Sequence, residues 1–244
     1  MSGAAQNYYI AHRGASYDAP ENTVASANLA WKQGADAVEI DVYLASDNRI
    51  VTIHDNNTKR VAKNARNLPI RNTPSLVLRD LDVGSWKGEQ FKGERIPYLE
   101  EIFETVPESK MLVIEVKCGP EIIPHLQRTM EKCGKADQAL FICFDWATIV
   151  ELKKTFPDNK AYWLSSSRQD VKAKIDEVAK AGLEGLNLNY GIIDQEIMGL
   201  AKNLKLEVLA WTVNDPEEAK RLNNLGITHI TTDRPQWLKE QVEK

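Results

Sequence analysis

The chain has 244 residues, of which 43% are hydrophobic and 27% charged, with a formal net charge of −4 and three cysteines. That balance gives no general attraction to nucleic acid or to an anionic membrane. No apolar run is long enough to cross a bilayer, and a small odd number of cysteines excludes a disulfide framework. Composition names no partner beyond these exclusions. If a substrate is an anion, a few local cations or a metal must attract it.

Met1–Gln6 has neither a basic n-region nor an apolar h-region, so the expectation is a soluble protein. Its compartment would be the cytoplasm, or the periplasm or exterior if a leader has been removed. Strand-like and helix-like segments then alternate to the end. Tyr8–Gly14 reads as a strand, Glu21–Gln33 as a helix closed by Gly34, and Ala37–Val42 as the second strand. Only the turn-like Ser46-Asp47-Asn48 separates Val42 from Ile50. A parallel strand needs a crossover of a dozen or more residues, so Arg49–His54 must return as an antiparallel arm. A turn centred near Asp47-Asn48 sets His54 roughly opposite Asp41. The polar stretch Asn56 to Pro74 reads as loop.

Tyr98–Val106 is the next helix, Met111–Val116 a strand, and Glu121–Lys132 a helix before Gly134. Strands follow at Ala139–Phe144, Ala161–Leu164, Gly185–Leu188, Glu207–Val213 and His229–Thr232, each with a helix behind it. Without the antiparallel arm, eight strands each precede one helix, which is the pattern of a (β/α)8 TIM barrel. The expectation is one domain over residues 1–244, with a hairpin-containing insertion after the second strand at residues 44–97.

Four of these strands carry ionisable groups at their C-terminal ends, the end where barrel active sites lie. Period-two geometry puts Glu39 and Asp41 on one face, and likewise Glu115 and Lys117. Barrel strands are buried on both faces, so carboxylates there need a partner, a metal or a task. Three of them suit a hard divalent ion, Mg²⁺ or Ca²⁺, better than zinc. The plain alternative is a polar face on an ordinary antiparallel strand. His12 and His54 follow apolar runs directly. Two histidines converging on carboxylates suit acid–base work, although a lone one is more often structural.

Arg13 and Lys117 suit phosphate oxygens, or else simply neutralise the carboxylates. Glu21-Asn22-Thr23 either caps the first helix, or holds the His12 loop, or adds a carboxylate beside the metal. Phe144, Trp163 and Trp211 end strands and would either wall a pocket or pack in the core. Asn187 and Asn189 are weaker candidates. His125 and His229 read as structural, with His229 at the stability end of its strand.

These residues match a known family. The chain resembles the glycerophosphodiester phosphodiesterases through His12-Arg13-Gly14, Glu21-Asn22-Thr23, Glu39-Ile40-Asp41-Val42, His54-Asp55, Leu81-Asp82-Val83-Gly84-Ser85-Trp86 and Ile96-Pro97-Tyr98-Leu99-Glu100-Glu101. The match continues through Glu115-Val116-Lys117, Trp211-Thr212-Val213-Asn214 and Thr232-Asp233-Arg234-Pro235. It therefore runs in order along nearly the whole chain. The resemblance implies a TIM barrel with an insertion after the second strand. It also implies His12 and His54 as the acid–base pair, Glu39, Asp41 and Glu115 as metal ligands, and Arg13 and Lys117 on phosphate.

The chain departs from the family at Asp47-Asn48, where Asp-Gly is frequent, and at Tyr98, where a small residue is. It departs again at Asn56-Asn57-Thr58-Lys59-Arg60. The reaction expected is metal-dependent hydrolysis of a glycerophosphodiester to glycerol 3-phosphate and an alcohol. Alternatives are a lysophospholipase D-type activity, or a catalytically silent barrel that binds phosphodiesters.

Overall fold

In the computed structural model, which describes residues 7–63 and 66–243, eight parallel strands close into a ring. They are β1 (Tyr8–Ala11), β2 (Ala37–Leu44), β4 (Met111–Val116), β5 (Ala139–Cys143), β6 (Ala161–Ser165), β7 (Gly185–Asn189), β8 (Glu207–Trp211) and β9 (His229–Thr232). β1 pairs with both β9 and β2 and so closes the barrel. The expected TIM barrel is the fold. Helices α1 (Val24–Lys32), α3 (Leu99–Thr105), α4 (Ile123–Cys133), α5 (Trp146–Thr155), α6 (Arg168–Lys180), α7 (Gln195–Asn203), α8 (Pro216–Asn224) and α9 (Pro235–Val242) lie between strands and behind the last one. The expectation for Met1–Gln6, and residues 64–65 of the stretch read as loop, lie outside the described residues. No helix among the described residues is long and apolar enough to cross a membrane.

Alternation sorts each strand's side chains. Ile10, Ala37, Val113, Ile142, Leu164 and Leu209 point inward and fill the barrel. Their chain neighbours, such as Val38, Ile114, Phe141 and Leu186, pack outward under the helices. Trp163 belongs to this outer layer. It is buried edge-on against Trp146, and its indole donates to the Phe144 carbonyl at 3.0 Å. Trp163 therefore does not wall a pocket, because its place in β6 has the outward parity.

β1 contacts β2 only at Ile10–Ala37 and Ala11–Val38, so the rest of β2 outruns it. The exposed edge needs new partners. β3 (Ile50–Thr52) supplies them, pairing antiparallel with β2 from Val42–Thr52 to Leu44–Ile50. The register puts Ile53 opposite Asp41, with Ile53 N–H donating to the Asp41 carbonyl at 3.0 Å. His54 is thus one residue beyond the expected position. The turn places Asn48 in the left-handed region at φ 62°, which Asn tolerates.

The stretch read as loop has structure of its own. A 3₁₀ turn spans Ile70–Asn72, and α2 (Ser75–Arg79) follows. Val61, Leu68, Ile70, Leu78 and Ile96 form a second apolar cluster with Val51 and Ile53 beneath it. Sparse apolar residues without periodicity gave no sign of this cluster in sequence.

α1 starts at Val24, three residues later than expected. Thr23 is its N-cap, accepting from Ser26 N at 3.1 Å. Asn22 has φ 57° and cannot be helical, because it is turned toward β2.

Candidate active site

The C-terminal mouth of the barrel holds a cavity of about 190 Å³. His12, Arg13, Glu39, His54, Glu115 and Lys117 line one side. Phe144, Leu164, Asn187 and Trp211 line the rest. A larger cavity, about 270 Å³, opens at the other end, beside Tyr8 and His229. Its charged groups pair as Lys110 with Asp36 and Lys160 with Glu207, whereas the ionisable residues at the strand C-termini gather at the smaller cavity.

The carboxylates come together through strand register. Asp41 and Glu115 face each other directly across β2 and β4, and Glu39 is two residues back on the same face. One oxygen from each of the three lies within 4.8 Å of the others, and all three residues are buried. Each carboxylate is held by one oxygen. Arg13 N donates to Glu39 Oε2 at 2.8 Å, Asn22 Nδ2 to Asp41 Oδ2 at 2.8 Å, and Lys117 Nζ to Glu115 Oε1 at 2.7 Å. Asn22 also accepts from Asp41 N at 2.9 Å, taking up backbone that β1 is too short to reach. The opposite oxygens Glu39 Oε1 and Asp41 Oδ1 are buried with no hydrogen-bond partner.

The Arg13 turn depends on Gly14. Gly14 has φ 79°, and a Cβ there would come within 2.4 Å of Ser26 Oγ. Arg13 itself has φ 55°, which aims its backbone N–H at Glu39. Its Nη1 donates to Glu21 at 2.9 Å, and its Nε lies 3.2 Å from Asp41 Oδ2.

Electrostatics follow from this arrangement. Burial, then the charges of Asp41 and Glu115, push Glu39 well above the usual carboxylate range. Burial and Asp41 likewise raise Glu115 to about 7, against the pull of Lys117. Burial also works against Asp41, but Arg13, Lys117, His54 and Asn22 outweigh it and hold Asp41 low. Three carboxylates face two cations, so the cluster is short of positive charge. A hard divalent cation fits that deficit and the two unpartnered oxygens.

Each histidine is held by a carboxylate. His12 Nδ1 pairs with Asp233 Oδ1 at 2.7 Å, and His54 Nδ1 with Asp55 Oδ1 at 2.7 Å. Burial opposes ionisation of Asp233, yet hydrogen bonds from His12, Asn214 and Ser16 bring it down to about 2. An ionised Asp233 fixes Nδ1 as the protonated nitrogen of His12 and leaves Nε2 to other partners. Burial is the main effect on His54 and lowers its affinity for a proton. Arg60 braces this side, donating to Asp55 at 2.8 Å and to Glu21.

His12, Arg13, Glu39, His54, Glu115, Lys117, Phe144, Asn187 and Trp211 line the cavity, Asp41 belongs to the carboxylate cluster, and Trp163 and Asn189 are not in the lining. Glu21 reaches Arg13 and Arg60, not the carboxylate cluster. Asp233, Asn214, Ser16 and Arg60 were not singled out in sequence. Asp233 is 221 residues from His12, and only the motifs Thr232-Asp233-Arg234-Pro235 and Trp211-Thr212-Val213-Asn214 hinted at it or at Asn214.

Known proteins share this architecture. A phosphodiesterase of Oleispira antarctica, solved with the product sn-glycerol-3-phosphate, superposes with a TM-score of 0.91 at 31% identity over 98% of both chains. A glycerophosphodiester phosphodiesterase of Caldanaerobacter subterraneus subsp. tengcongensis is 32% identical over 245 residues, covering 96% of this chain and 97% of that protein. Human lysophospholipase D is 25% identical over 267 residues, covering 95% of this chain and 85% of that one. The model of the glycerophosphoryl diester phosphodiesterase family matches residues 12–237, a span that contains every side chain of the site. The chain therefore belongs to the glycerophosphoryl diester phosphodiesterase family.

Proposed function

We propose that this protein hydrolyses glycerophosphodiesters, such as glycerophosphocholine, to sn-glycerol 3-phosphate and an alcohol. The observation that carries this reading is a buried carboxylate triad with unpartnered oxygens beside two carboxylate-anchored histidines. Glu39, Asp41 and Glu115 would hold one divalent cation, Mg²⁺ or Ca²⁺, which when bound supplies charge neutralisation to the phosphoryl oxygens.

Arg13 and Lys117 orient the phosphodiester by charge-assisted hydrogen bonds. One of His12 and His54 takes the proton from the attacking oxygen. The other delivers a proton to the departing alcohol oxygen as its bond to phosphorus breaks. Asp233 and Asp55 keep both rings turned for this exchange by holding Nδ1. Phe144 and Trp211, edge-to-face at 5.7 Å, offer an apolar wall for the substrate's carbon atoms.

The test is release of sn-glycerol 3-phosphate from several headgroup diesters, with and without chelator. Turnover lost in chelator and restored by Mg²⁺ or Ca²⁺ is expected. Full turnover after exhaustive chelation would remove the cation from the reading, and no release from any diester would remove the function.

A further inference from the structure

Asn187 is 1% exposed, and its Oδ1 has no hydrogen-bond partner. It lies on β7 between Leu186 and Leu188, which face the helices, so its own side chain faces into the barrel. Its neighbours in register are Leu164 and Leu209, both apolar and inward. Neither can pair an amide. The open space it meets is the 190 Å³ cavity, whose lining it shares with the histidines and carboxylates. A buried amide oxygen without a partner is unfavourable, and a leucine would suit this layer better. The position retains a group that something entering the cavity must satisfy.

Its place in the ring says which part of the substrate that is. β7 is four strands from β2 in either direction, so Asn187 stands across the barrel from Glu39 and Asp41. The cations Arg13 and Lys117 lie on the carboxylate side and draw the phosphate there. Asn187 is also sunk one rung below the half-buried Trp211 and Asn189 at the rim. A group that reaches it is deep and far from phosphorus. The cavity is smaller than the roughly 300–1,000 Å³ that takes drug-sized ligands, so a three-carbon arm suits it and a bulky headgroup does not.

On the reading given under Proposed function, we infer that the Asn187 amide hydrogen-bonds the free terminal hydroxyl of the glycerol moiety and so selects deacylated glycerophosphodiesters over lysophospholipids. An amide accepts from and donates to a hydroxyl at once. In a 1-acyl lysophospholipid that oxygen is esterified and can no longer donate. The acyl chain would also have to pass through the floor formed by Asn187, Ile142 and Leu164.

The experiment compares wild type with Asn187→Leu on glycerophosphocholine, on its 1-deoxy analogue and on 1-acyl lysophosphatidylcholine. Melting of each ligand-free protein is followed alongside. Wild type should favour glycerophosphocholine over the 1-deoxy analogue by roughly 10- to 100-fold in kcat/KM, the scale of one buried hydrogen-bond partner. It should favour glycerophosphocholine over the lysophospholipid as well. In Asn187→Leu the ratio between glycerophosphocholine and its deoxy analogue should collapse toward one, with a melting temperature equal to wild type or higher.

An unchanged ratio overturns the inference. So does a fall in melting temperature with equal losses on both substrates, which would make the amide structural. Calorimetric titration with sn-glycerol 3-phosphate and its 1-deoxy counterpart reads the same contact without turnover. Absence of all diesterase activity would therefore count against the proposed reaction, while the titration still decides Asn187.

Discussion

At the residue scale, the site is a set of charges that balance only in part. In the cation-free protein Glu115 keeps a proton up to about pH 7, against a usual value of 4.5. Between those values the folded chain binds more protons than the unfolded one, so stability falls as pH rises across the window. Asp233 has the opposite sign. Held at about 2, it stabilises the fold above its usual 3.8 and loses that contribution as pH falls through the folded value. On the proposed reading a divalent cation would take the place of the proton on Glu115 and Glu39. Millimolar Mg²⁺ or Ca²⁺ should therefore raise the melting temperature more at about pH 8 than at about pH 5. Calorimetric scans in chelator and in cation at both pH values check this, and an equal gain at both would contradict it.

At the scale of elements, the β2–β3 hairpin and the turn before α1 share one task. Both supply partners to the part of β2 that β1 leaves bare, and each brings a site residue with it. Asn22 comes from the turn and holds Asp41, and His54 comes from the hairpin one residue past Ile53. The hairpin depends on Asn48 at φ 62°. Asn48→Val should cost about 1–2 kcal/mol, because a β-branched residue is strained in the left-handed region. Asn48→Gly should stay within about 0.5 kcal/mol of wild type, since the relief at that φ is offset by a freer unfolded chain. Urea unfolding of the two variants decides it, and equal effects would mean that the turn does not limit stability.

At the scale of the whole molecule, the barrel divides into a face for chemistry and a face for stability. His12 and His54 lie at the first, and His229 stacks on Tyr8 at 4.9 Å at the second. His12→Ala and His54→Ala should each lower kcat by at least ~10²-fold with little change in melting temperature. His229→Ala should lose about 0.5–1.5 kcal/mol of stability, the range of an aromatic pair, and keep its kcat/KM. Parallel turnover and melting measurements on the three variants check the division. A folded His229→Ala as inactive as His12→Ala would refute it.

The sequence alone determined the barrel, the antiparallel arm and the set of strand-end ionisable residues. The reasons are local. Strand–helix alternation is written as a change of period, and a connection as short as Ser46-Asp47-Asn48 leaves no room for a crossover. Spacing of two puts Glu39 with Asp41, whatever surrounds them. Tertiary structure decided what local pattern cannot express. Alternation says which residues share a face but not which face of a doubly buried strand looks inward, so Trp163 and Asn187 could not be assigned until the ring closed. Nor does a chain announce partners 221 residues apart, such as His12 and Asp233, which meet only because β9 returns to lie beside β1.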